Sequence, residues 1–189
     1  MKRLKVEING NTLELTVADI TKQNTDAIVN AANGTLMGGG GVDGAIHQAA
    51  GSKLVQACKT IREQKLHGER LSTGEAVITN GFQLPAAYVI HTVGPVWNES
   101  NASTLDQKLM NCYINSLQLA SNYDLSSISF PSISTGIYRY PLDRAAQIAI
   151  RSIGQYLQSH RFGEATMTLS SKDDYYVYKT ELDKIINPT

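Results

Sequence analysis

Cysteine is scarce in this 189-residue chain: Cys58 and Cys112 are its only two. They do not form a CxxC pair, so neither a zinc site nor a thiol–disulfide motif is indicated. Each falls on the apolar face of an expected helix, where a buried free thiol is the natural reading. Excess charge is lacking too. Seventeen Lys and Arg balance 17 Asp and Glu, which argues against an extended nucleic-acid surface. A small anion held by backbone amides needs no such excess. No apolar run reaches membrane-spanning length, and no signal-peptide core follows Met1-Lys2-Arg3-Leu4-Lys5. The chain therefore reads as soluble and cytoplasmic, with no membrane partner. It has no internal repeat, no Gly-Lys-Ser/Thr phosphate loop, no histidine spacing for a metal and no Ser/His/Asp order for a nucleophile triad. Neither a metal nor a cofactor is called for.

What is present is a foldable, moderately apolar chain. Hydrophobic residues make up 42% and charged residues 18%, a balance that supports a packed core rather than disorder. With no linker or repeat in sight, residues 1–189 read as one domain, with a monomer as the default state. Short apolar segments alternate with helical ones, the pattern of an α/β layered fold. Lys5–Ile8 and Leu13–Val17 flank Asn9-Gly10, a favoured hairpin turn pair, which predicts an added β-hairpin within residues 1–17. Further strands are expected at Ala27–Asn30, Ala76–Thr79, Tyr88–Thr92, Ile128–Pro131 and Thr166–Leu169. One helix is expected from about Val42 through Ile61, with Ile46, Ala50, Leu54 and Cys58 on its apolar face. Others are expected over Leu105–Tyr123, from Pro141 through Leu157, and after Asp173-Asp174.

Two strand-to-helix loops carry the chemistry. The first runs from Asn30-Ala31-Ala32-Asn33 through Gly38-Gly39-Gly40-Gly41 to Val42-Asp43-Gly44-Ala45-Ile46-His47. Glycines let bare N–H groups approach an anion, and a helix start adds unpaired donors and partial positive charge. Asp43 and His47, four residues apart, share one helix face. A carboxylate beside an anion site is repelled by it, so its presence there points to another task, such as holding a hydroxyl or a water. Taken singly, the glycines also fit a mobile loop and Asp43 an ordinary helix-start charge. Gly39-x-Gly41-x-x-Gly44 matches the dinucleotide fingerprint, but Ala31–Met37 separate it from its strand and the acid at the right spacing, Glu63, lies in a helix. The second loop, Ser132-Ile133-Ser134-Thr135-Gly136-Ile137-Tyr138, again joins a strand to a helix and offers hydroxyls, backbone amides and an aromatic ring. An ordinary βα connection favours the same residues. Two such loops in one small domain suit a diphosphate held from both sides. His91, at the end of another strand, reads as a buried, hydrogen-bonded side chain.

Taken in order, Val17-Ala18-Asp19-Ile20-Thr21, Asn30–Asn33, Gly38–His47, Ala76-Val77-Ile78-Thr79, His91–Pro95 and Pro131–Pro141 resemble a macrodomain of the MacroD type, with the bacterial O-acetyl-ADP-ribose deacetylases most similar. The resemblance spans about Leu13 to Leu182. It implies a three-layer α/β/α sandwich around a mixed, roughly six-stranded sheet. It implies ADP-ribose as ligand, with Asp19 and Ile20 reading the adenine, Asn33 on the distal ribose, Gly40, Gly41 and Val42 lining the first loop, and Ser134, Thr135, Gly136, Ile137 and Tyr138 around the diphosphate. Asn30 belongs to the same binding set, chiefly as a shaper of the loop. Asn33 and Asp43 are the implied catalytic pair, with His47 in support. The implied activity is hydrolysis of ADP-ribosyl esters: removal of mono-ADP-ribose from acidic side chains of proteins, and deacetylation of O-acetyl-ADP-ribose. A non-catalytic ADP-ribose reader is the alternative. The chain departs from the family pattern in carrying Ala18 and Arg139 in place of glycines. It also has Ser170-Ser171 where an aromatic often covers the adenine, which leaves Tyr175 or Tyr176 as the candidate cover.

Overall fold

The computed structural model describes residues 2–188. Seven strands form one mixed sheet: β1 (Arg3–Ile8), β2 (Asn11–Val17), β3 (Ala27–Ala32), β4 (Ala76–Asn80), β5 (Tyr88–Val93), β6 (Ser127–Phe130) and β7 (Glu164–Leu169), in the order β1-β2-β7-β6-β3-β5-β4. The five inner strands run parallel, and the edge strands β1 and β4 run antiparallel to their neighbours. Among the described residues five α-helices complete the fold: α1 (Gly41–Ala50), α2 (Ser52–Gln64), α3 (Ala102–Asn122), α4 (Leu142–Ser159) and α5 (Lys172–Ile186). None of them is long and apolar enough to cross a membrane.

The helices sort onto the two faces by the alternation of the strands. On β3, Ala27 and Val29 pack into the core beneath α3, α4 and α5, while Ile28 and Ala32 pack into a second core beneath α1 and α2. Burial on both faces is what a central parallel strand requires. The expected α/β/α layering is therefore present, with one strand more than the expected six or so. The N-terminal hairpin turns at Asn9 (φ 50°) and Gly10 (φ 81°), both left-handed as a type I′ turn demands. It is part of the sheet rather than an appendage. β2 pairs with β7 over Thr12–Val17, and buried Asn11 clamps the turn after α4. Its amide donates to Leu157 O (2.7 Å) and His160 O (2.8 Å), and its carbonyl accepts from the Phe162 and Gly163 amides.

The helix expected to continue from Val42 to Ile61 is broken. Gly51, at φ 86°, ends α1 and starts α2, so the apolar face turns without losing contact with the core. The other expected elements are present with ends shifted by a few residues. Cys58 and Cys112 are buried free thiols, as expected, and burial pushes their pKa values up to about 12 and about 11.

Two features of the sheet open a site. From β3 the chain leaves toward β5 and β4; from the adjacent β6 it leaves toward β7. That reversal of direction creates a crevice at the carboxyl ends of the two strands. In addition, β3 and β6 pair only at Ala27–Ile128 and Ile28–Ser129. Beyond that point they separate, while β3 stays paired with β5 as far as Ala32–Val93.

Candidate functional site

A cleft of about 810 Å³ fills this crevice, within the range of small-molecule sites. Its floor is Ala31, Ala32 and Pro131, and its long walls are the two loops singled out in the sequence. Of the expected site residues, Asp19, Ile20, Asn33, Gly40, Gly41, Val42, Asp43, Ser134, Thr135, Gly136, Ile137 and Tyr138 all line it.

The first loop is tied down by its own asparagine. Asn33 Oδ1 accepts from the Thr35 amide (3.0 Å) and from the Thr35 hydroxyl, and Asn33 Nδ2 donates to Gly38 O (2.9 Å). One amide proton of Asn33 is left for the cleft. The loop lies tight on α1: a Cβ at Gly44 would stand 2.5 Å from Gly39 O, so only glycine permits this approach. A Cβ at Gly39 would lie 3.1 Å from Asp43 Oδ2 and 3.3 Å from Asn33 Nδ2, so both groups flank one spot in the wall. The second loop is held from beneath. Tyr113 OH accepts from the Ile133 amide, Ser132 Oγ bonds Tyr178 OH (2.7 Å), and the Trp97 amide donates to Tyr138 O (2.9 Å). Trp97 is in turn stacked edge-on against Tyr140, whose hydroxyl donates to Asp106 Oδ1 (2.6 Å) beside Arg144.

The backbone between these anchors is unpaired. None of the N–H groups of Gly38–Asp43, nor of Ser134–Tyr138, donates to an acceptor among the described residues. The first set includes the open turn of α1, which adds a partial positive charge. Ser134 holds φ 68°, and its buried hydroxyl likewise has no partner. Two arrays of free donors thus face each other across the cleft, as an anion held from both sides requires.

Asp43 is buried (5% exposed) at one end of the cleft. Its Oδ1 is fastened from behind: Asn30 Nδ2 donates to it at 2.9 Å, and His47 Nε2 lies 3.4 Å away. Its Oδ2, beside Gly39, is the oxygen left for the cleft. Asn30, expected chiefly to shape the loop, does not line the cleft. The side chain has no exposed surface and lies behind the wall, because its position on β3 points to the α1 side of the sheet. His47 does not line the cleft either; its ring lies under Gly38 and touches Asp43. Both reach the site through the carboxylate.

At the other end, Asp19 Oδ1 accepts from the Thr21 hydroxyl (2.7 Å) and amide (2.9 Å). These bonds hold its pKa below the usual carboxylate value. Its second oxygen accepts no hydrogen bond among the described residues. Neither tyrosine offered as a base cover reaches this end. Tyr175 is in the core beneath α5, and Tyr176 is exposed with Lys2 Nζ 4.0 Å over its ring; Ser170 lines the cleft instead. Arg139 is exposed at a left-handed turn (φ 58°) and lies outside the lining. Asp174 and Thr168 line this end and were not singled out in the sequence. Asp174 reads there as a helix-start charge, and Thr168 as one more strand residue.

A family model described as Macro domain matches residues 29–149. A protein from Escherichia fergusonii named O-acetyl-ADP-ribose deacetylase is 51% identical over 77% of this chain and 80% of its own length. Other relatives at 46–51% identity carry names that say only that they contain a macro domain. Among solved structures, the Oceanobacillus iheyensis macrodomain with ADP superposes with a TM-score of 0.95 at 53% identity, covering 98% of this chain and 97% of that one. A Trypanosoma brucei macrodomain in complex with ADP-ribose superposes with a TM-score of 0.81 at 39% identity, covering 90% of this chain and 68% of that one.

Proposed function

The chain belongs to the macrodomain family, and on that premise we propose that it binds ADP-ribose and hydrolyses ADP-ribosyl esters. The substrates are proteins carrying mono-ADP-ribose on Asp or Glu, and O-acetyl-ADP-ribose. The observation that carries the reading is Asp43: one carboxylate oxygen is fastened behind the wall, and the other is left at the end of a cleft walled by free amides.

The adenine lies at Asp19 and Ile20, where the free oxygen of Asp19 accepts from the amino group. The diphosphate lies between the amides of Gly38–Asp43 and Ser134–Tyr138. The distal ribose then falls between Asn33 and Asp43. In an ester of Asp or Glu the leaving group is a carboxylate, the anion of an acid with a pKa of about 4, and departs without a strong general acid. Asn33 fixes the ribose, and Asp43 Oδ2 orients the attacking water. Water adds to the anomeric carbon, the bond from that carbon to the carboxylate oxygen breaks, and the water's proton passes to Asp43 or a substrate phosphate oxygen. In O-acetyl-ADP-ribose, water adds to the acetyl carbon, the bond from that carbon to the ribose oxygen breaks, and the ribose oxygen takes back the proton the water gave to Asp43 as acetate is released.

The test is release of ADP-ribose from a glutamate-linked mono-ADP-ribosylated protein, with Asn33→Ala and Asp43→Ala beside the wild type. Turnover by the wild type, lost in both variants while calorimetric binding of ADP-ribose persists, supports the reading. Binding without turnover of either ester marks a reader module instead.

A further inference from the structure

Behind Asp43 lies a buried polar ladder that crosses three strands. Asn30 on β3 and His91 on β5 are register partners, and Val77, two residues before Thr79 on β4, pairs with His91. Asn30 Nδ2 donates one proton to Asp43 Oδ1 (2.9 Å) and stands 3.1 Å from His91 Nδ1. His91 Nε2 stands 2.9 Å from Thr79 Oγ1 and 3.8 Å from Cys58 Sγ. Asn30 and His91 have no exposed surface, and neither they nor Thr79 lines the cleft.

The donors and acceptors admit one arrangement. A carboxylate only accepts, so the Asn30 amide nitrogen must face Asp43. The same nitrogen then presents its second proton to His91 Nδ1, which must be a bare acceptor. The ring proton is therefore on Nε2, donated to Thr79 Oγ1. Turning the Asn30 amide over would set its oxygen against both the carboxylate and the Nδ1 lone pair. In the observed orientation Asn30 Oδ1 is buried with no partner, a cost of roughly 1–3 kcal/mol. An apolar residue at position 30 would avoid that cost but would take the Asn30 donor away from Asp43 Oδ1.

We propose that His91 is a positioning residue for the reaction: its unprotonated Nδ1 fixes the Asn30 amide, which fastens Asp43 Oδ1 and leaves Oδ2 to the cleft. This rests on the hydrolase reading above. A neutral ring fits its surroundings, since burial and the nearby His47 push the His91 pKa down to about 3.

The test compares His91→Leu, which removes the acceptor, with His91→Asn, whose side-chain oxygen stands near the former Nδ1. Release of ADP-ribose from a glutamate-linked protein gives kcat and KM, and calorimetry gives ADP-ribose affinity. The expected result is a fall in kcat of roughly 10- to 100-fold for the Leu variant, with KM and affinity changed less than about threefold, and recovery of most of kcat in the Asn variant. Equal loss in both variants, or wild-type kcat in the Leu variant, overturns the inference while leaving the hydrolase reading in place. A wild-type protein that turns over neither ester overturns that reading and the inference with it. Should the Leu variant not fold, nitrogen NMR of the wild-type imidazole decides: His91 Nε2 protonated and Nδ1 bare is expected, and the opposite tautomer or a charged ring refutes the proposal.

Discussion

Acid should destabilise this protein earlier than its carboxylates alone dictate, and His91 is the cause. The ring is fully buried, and its pKa falls from the ordinary 6.5 to about 3, first through lost hydration and then through His47. Below pH 6.5 the unfolded chain takes up a proton at this position that the native state refuses. The unfolded state then binds more protons, so stability falls as pH falls, by about 1.4 kcal/mol per unit, and levels off only near the native pKa. From pH 7 to pH 4.5 the loss is about 3 kcal/mol, a large part of the usual 5–15 kcal/mol of a domain. Asp19 and Asp106 also favour the native state, but both pKa values are lowered, so their contributions are lost only as pH drops through and below the usual carboxylate range. The two windows separate. Urea unfolding of the wild type and of His91→Asn at pH 7 and pH 4.5 isolates the histidine. The variant is expected to be the less stable at pH 7, with the gap narrowing by about 3 kcal/mol at pH 4.5. Parallel pH profiles would show that His91 is charged in the native state and would refute the argument.

Four further outcomes are expected. Asp43→Asn keeps the acceptor that Asn30 needs but removes the charge, so turnover should fall by about 10²–10⁴ while ADP-ribose affinity holds or rises, measured by kinetics and calorimetry. Asn11→Ala strands two carbonyls and two amides at the α4–β7 turn and should cost about 3 kcal/mol or more, read as a lowered denaturant midpoint. Gly44→Ala drives a Cβ into Gly39 O and should weaken ADP-ribose binding by roughly tenfold or more with the fold retained, a result calorimetry and circular dichroism together can check. ADP-ribose linked to serine must leave as an alkoxide, for which the cleft holds no strong acid, so its release should be at least about 100-fold slower than from glutamate; comparable rates would overturn the proposed chemistry.

The layering, the strands and both cleft loops could be read from the sequence because they rest on local signals. Asn9-Gly10 fits few conformations besides its turn, and the apolar faces from Leu105 and from Pro141 have clear helical spacing. The break at Gly51 could not be read, since the apolar spacing continues across it and only packing against the sheet shows the bend. Asn33, Asp43 and the Ser134–Tyr138 segment stood out because polar and glycine residues after a strand are a local pattern. The ladder behind Asp43 was not visible. Asn30, Thr79 and His91 meet only through the pairing of β3, β5 and β4, and nothing near His91 in the sequence distinguishes it from any buried histidine. The same holds for Thr168 and Asp174, which reach the cleft because β7 ends beside β2.

The cleft accommodates an anion without a cation. Among the described residues that line it there is no Lys or Arg, but there are three carboxylates, Asp19, Asp43 and Asp174. A free phosphate gains the backbone donors of both loops and meets repulsion from Asp43 at once. A ligand that keeps its negative charge in the middle and places neutral polar groups at either end, an amino group at Asp19 and sugar hydroxyls at Asn33 and Asp43, gains the donors and avoids the repulsion. On the proposed reading the carboxylates therefore select, and Asp43 also reacts. Backbone dipoles, unlike lysines, also gather no general polyanion, which is how a chain with balanced charge can be specific for a dinucleotide-like sugar diphosphate. Its affinity should then depend only weakly on salt, since no ion pair between side chain and phosphate is there to be screened.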